Sequence, residues 1–107
     1  MAKEAASIRI TNQFRSRNGF VYDFTCDGAR LTLSISQREN AADEGEWRIE
    51  ARTNHAPEAL VVARWGPTRL EALREVGRAW DSEAAGRGLP LFAWQSVETA
   101  LTDVRAI

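Results

Sequence analysis

A chain of 107 residues and 11.9 kDa, 44% apolar, 27% charged and carrying a net charge of −1, has the composition of one globular domain that buries about 65% of its unfolded surface. The charge balance excludes a protein held to polyanions by a general positive field, the lone Cys26 excludes a disulfide framework, and no apolar run is long enough to span a bilayer. MAKEAAS at the start lacks the apolar stretch of a secretory signal, so a cytoplasmic location is expected.

The pattern divides a single domain over 1–107 into a frayed terminus at 1–6, a sheet over 7–65 and a helical part over 68–107. From Ser7, SIRITNQFR alternates with a period of two. Ile8, Ile10 and Phe14 fall on one side, Arg9, Thr11, Gln13 and Arg15 on the other, and Asn12 is a misfit on the apolar side. Arg17-Asn18-Gly19 suits a three-residue hairpin loop that would pair Phe14 with Tyr22 and Ile10 with Cys26.

Phe20 to Ser36 carries the strongest local signal, two alternating strands joined by Asp27-Gly28. That turn pairs Cys26 with Ala29, Phe24 with Leu31, Tyr22 with Leu33 and Phe20 with Ile35, placing every large apolar residue on one face. Val21 with Ser34, Asp23 with Thr32 and Thr25 with Arg30 form the wet face. The polar stretch QRENAADEGE is the longest loop, and EWRIEAR then turns Trp47, Ile49 and Ala51 inward and Arg48, Glu50 and Arg52 outward.

Thr53 to Glu58, with Asn54, His55 and Pro57, is a turn by composition. In ALVVARW the Val pair and the tryptophan favour a strand over a short helix opened by Pro57, and both of its faces are apolar. Trp65 alternates with the core set, which leaves Leu60, Val62 and Arg64 on the second side. Thr68 and Glu71 have capping-box spacing after Gly66-Pro67, so a helix starts there, with Leu70, Leu73, Val76 and Trp80 on one stripe. Glu71 with Arg74 and Glu75 with Arg78 are spaced as surface ion pairs. Gly86-Arg87-Gly88 ends it, and a second helix over 94–104 repeats Trp94, Val97, Leu101 and Val104, with Phe92 and Val97 as a hydrophobic staple.

The expected fold is therefore α+β: an antiparallel meander of about five strands followed by two C-terminal helices packed on one face. Candidate chemistry is sparse. Cys26 faces inward, where a buried apolar role suits it better than a nucleophile, and the sole histidine, His55, sits in a separate turn. No ligand pair has metal spacing. Asp43, Glu44 and Glu46 lack the periodicity of a calcium loop, and the glycines form no phosphate cradle. No catalytic, metal or cofactor residues are assigned, and an enzyme is not expected.

Two binding classes remain. The first is a protein-interaction or regulatory module that self-associates as a homodimer or takes a protein partner, with Leu60, Val62 and Arg64 as contact residues. In the second, Arg9, Arg15, Arg30, Arg48, Arg52 and Arg64 form an Arg-bearing open sheet face for single-stranded nucleic acid. Strands followed by helix resemble the whirly and PUR folds in topology, which implies the same ligand class. Thirteen of the fourteen cations are Arg. Residues 1–38 hold six basic and three acidic side chains, against eight and twelve in 39–107, so the first hairpins are mildly positive.

Overall fold

A computed structural model of the chain describes residues 8–16, 18–26, 29–37, 46–53, 60–89 and 91–107. Five strands run β1 (Ile8–Arg15), β2 (Gly19–Cys26), β3 (Ala29–Gln37), β4 (Trp47–Thr53) and β5 (Leu60–Gly66), followed by helices α1 (Arg69–Arg87) and α2 (Trp94–Asp103). All pairings are antiparallel and the strand order is that of the sequence, so the fold is an α+β meander. Helix α1 lies over β5 and β4, α2 lies against β1, and the helices meet each other on the same face. The terminus at 1–6, the Asp27-Gly28 turn, Arg17, Asp43, Glu44 and the turn holding Asn54, His55 and Pro57 lie outside the described residues.

The β2–β3 register is the one that the alternation dictates: Cys26 faces Ala29, Phe24 Leu31, Tyr22 Leu33 and Phe20 Ile35. A two-residue period with one apolar side can bury that side only in this register, since a slip of one residue inverts every side chain. Tyr22, Phe24, Leu31, Leu33 and Ile35 are accordingly in the core, as are Ile49 and Ala51 of β4. Phe20 departs from the pattern at 41% exposed, although Ile35 and Ile49 in the same row are buried.

Strand β1 follows another register than the loop reading gives. Ile8 pairs with Cys26 and Ile10 with Phe24, then a bulge at Thr11 shifts the ladder so that Asn12 faces Asp23, Phe14 Val21 and Arg15 Phe20. The extra residue reverses the parity of everything after it. Asn12 ceases to be a misfit, and Phe14 turns out to the open face at 50% exposed. Across the turn the Ser16 amide donates to the Gly19 carbonyl at 2.8 Å.

Strand β5 faces opposite to its expected parity. Leu60 and Val62 are buried in the core, whereas Trp65 is 47% exposed on the other side. The cause is Gly66, which shares the core side with Leu60 and Val62 and lies directly under the first turn of α1. A Cβ there would stand 2.7 Å from the Ala72 amide nitrogen, so only glycine lets helix and strand approach this closely. With Gly66 inward, Trp65 must face outward.

The start of α1 is built as its spacing indicates. Thr68 is extended and its hydroxyl accepts the Glu71 amide at 3.1 Å, while its carbonyl accepts the Ala72 amide at 3.0 Å. Leu73, Val76 and Trp80 are buried. At the other end Gly88 adopts the left-handed conformation, φ 67°, with its amide bonded to the Ala84 carbonyl. Thr68→Ala is expected to lower the unfolding free energy by about 0.5–2 kcal/mol without altering the far-ultraviolet circular dichroism, as read from urea titration. Phe92 and Val97 are both buried at the start of α2. Glu75 and Arg78 form the expected ion pair, but Arg74 reaches across to Glu98 of α2, not back to Glu71.

Candidate interaction surface

The face of the sheet opposite the helices is built by alternation from all five strands. One row across it reads Phe14, Val21, Ser34, Glu50, Ala63, and the next Asn12, Asp23, Thr32, Arg52, Val61. Its middle is polar and internally satisfied. Arg48, Glu50 and Arg52 stand two residues apart on β4 and therefore side by side, and each Arg donates to one oxygen of Glu50 at 3.1 Å. On the next strands the Thr32 hydroxyl donates to Asp23 at 2.8 Å. Apolar side chains lie at the two margins: Phe14 with Val21 on one, and Val61, Ala63 and Trp65 on the other.

The two margins differ as edges. Strand β1 carries a bulge at Thr11 and the charges of Arg9 and Arg15, devices that blunt an edge against further pairing. Strand β5, LVVARWG, has one charge and an unbroken ladder, and among the described residues it pairs only with β4. The Ala63 carbonyl accepts a hydrogen bond from the Arg64 guanidinium at 2.7 Å, as a carbonyl facing away from the ladder can do. Val61 and Trp65 are each about half exposed, at 49% and 47%.

The cations of the nucleic-acid reading do not share one face. Arg9, Arg30, Arg48 and Arg52 lie on the open face, but Arg15 and Arg64 share a row with Ile35 and Ile49 on the helix side. Arg15 covers the Phe20 ring at 5.7 Å, and Arg69 covers Trp47 at 4.9 Å. Burial raises the Tyr22 hydroxyl above its usual pKa, and the Arg69 guanidinium pulls it partly back.

Of the protein-contact residues, Leu60 and Val62 belong to the chain's own core, which removes them from any surface. Val61, Ala63 and Trp65 occupy the side assigned to them. Gly66 was the sequence signal for this parity, since its close approach to α1 fixes which way its neighbours point.

Among the described residues two open clefts flank α1. One, about 460 Å³, lies between the helices and is bridged by the fork from Arg74 to Glu98 (3.2 and 3.3 Å) and by the Trp94 indole donating to Asp81 at 3.2 Å. The other, about 450 Å³, lies beside β5 and is lined by Arg64, Trp65, Glu71, Glu75 and Arg78 among others. Among the described residues no three His, Cys, Asp or Glu side chains are grouped to hold a metal ion, and Cys26 is buried. No described helix is long and apolar enough to cross a membrane. Comparison of the chain with known protein families, with curated proteins and with solved structures finds no match.

Proposed function

We propose that the chain is a non-catalytic protein-interaction module that makes its contact through the β5 margin of the open sheet face. The observation that carries this reading is the pair Val61 and Trp65, half exposed on either side of Ala63 along an outer strand that, among the described residues, pairs only with β4. Apolar side chains beside unpaired main-chain groups are what strand addition uses: the backbone supplies affinity and the alternate side chains specificity.

A second reading takes the open face as a platform for single-stranded nucleic acid. It is favoured by Phe14 and Trp65, which give the face the exposed aromatics that stacking needs beside Arg9, Arg30, Arg48 and Arg52. Against it, Glu50 engages both Arg48 and Arg52, and the two rings lie on opposite edge strands, roughly 19 Å apart at the usual strand spacing.

Light scattering at low and moderate salt, with and without a labelled single-stranded oligonucleotide, separates the two. The interaction module predicts an assembly that persists as salt is raised and ignores the oligonucleotide. A chain that gains mass only with the oligonucleotide, and loses it steeply with salt, overturns that choice, because such a loss is the mark of counterion release from phosphates.

A further inference from the structure

We infer that two copies of this chain join edge to edge through β5, antiparallel about a two-fold axis at Ala63, to form one continuous sheet. The inference rests on the interaction-module reading and names the partner as a second copy. A two-fold contact must be self-complementary, each residue facing another whose positions sum to a constant. About Ala63, β5 meets that condition. Val61 of one copy faces Trp65 of the other, and Trp65 faces Val61, while the small Ala63 meets itself at the axis. Pairing an aromatic with a β-branched residue is a favourable cross-strand combination, and here it covers both half-exposed side chains at once.

The cleft beside β5 is lined by Arg64, Arg74, Arg78, Glu71 and Glu75, three cations and two anions, so each copy brings charges of both signs to the flanks of the contact. The β1 edge, bulged and charged, offers no such match.

Two variants and the unmodified chain test this. Ala63→Lys places its ammonium opposite Glu50 of its own chain, which the monomer tolerates, but sets two ammonium groups against each other at the axis. Ala63→Cys puts two thiols on strands whose Cα atoms are about 5.5 Å apart, within reach of a disulfide. Ser34→Cys, on the same face in the middle strand, is the control. The expected results are a particle of twice the 11.9 kDa chain mass, at least a tenfold weaker dimer in Ala63→Lys with unchanged circular dichroism, and an oxidised dimer from Ala63→Cys but not from Ser34→Cys.

A chain that is monomeric at every concentration overturns the inference. So does a dimer that Ala63→Lys leaves intact and Ala63→Cys does not cross-link; in that case the interaction-module reading survives with a different contact. Mass gained only with an oligonucleotide removes the interaction-module reading itself. Should Ala63→Lys fail to fold, the cross-linking pair decides alone.

Discussion

Trp80→Ala is expected to lower the unfolding free energy by about 3–5 kcal/mol, a large share of the roughly 5–15 kcal/mol that holds a domain of this kind together. Trp80 is fully buried on α1, and its ring lies 5.5 Å from that of Phe92 and 6.2 Å from that of Trp94, at the start of α2. One side chain thus packs α1 against the start of α2 inside the core that the helices share with the sheet. Phe92 and Trp94 also touch, at 6.1 Å, and Trp94 is tied to Asp81, so the neighbours are poorly placed to collapse into the space left behind. The cavity term therefore adds to the lost transfer energy. Urea titration followed by circular dichroism measures the loss. A midpoint that does not move would mean that the helical layer is not seated on the sheet through this ring.

The parts of the fold that the sequence makes legible are those where one local device settles the geometry. Between Phe20 and Ile35 a strict period of two admits a single register, and at Thr68 a hydroxyl three residues before an acidic helix position admits a single helix start. Strand β1 resists the same reading because a bulge adds one residue without altering composition. Asn12, polar on an apolar side, was its only trace.

Strand β5 resists for another reason. Leu60, Val61 and Val62 are apolar in both parities, so alternation cannot choose between them. What chooses is a tertiary contact, the close approach of α1 at Gly66. The candidate surface inherits both effects. The bulge brings Phe14 onto the open face, and Gly66 puts Val61 and Trp65 there while Leu60 and Val62 go inward. The set of outward arginines splits, since the bulge moves Arg15 and the parity of β5 moves Arg64.

Phe14→Ala and Phe24→Ala, taken together, test the bulge. Alternation alone treats these two residues alike, as inward aromatics of neighbouring strands. In the structure Phe24 is 1% exposed and faces Ile10 and Leu31, whereas Phe14 is 50% exposed and faces Val21. Truncating Phe24 removes a ring from a close-packed interior and is expected to cost about 3–5 kcal/mol. Truncating Phe14 removes a ring from a solvated margin, where substitutions usually stay within about 0.5 kcal/mol. The difference depends on one inserted residue, Thr11, whose hydroxyl donates to the Asp23 carbonyl at 3.3 Å on the other side of the irregularity. Equal losses in the two variants would place Phe14 back in the core. The bulge would then be absent, and the open face would lose the ring that it carries on β1.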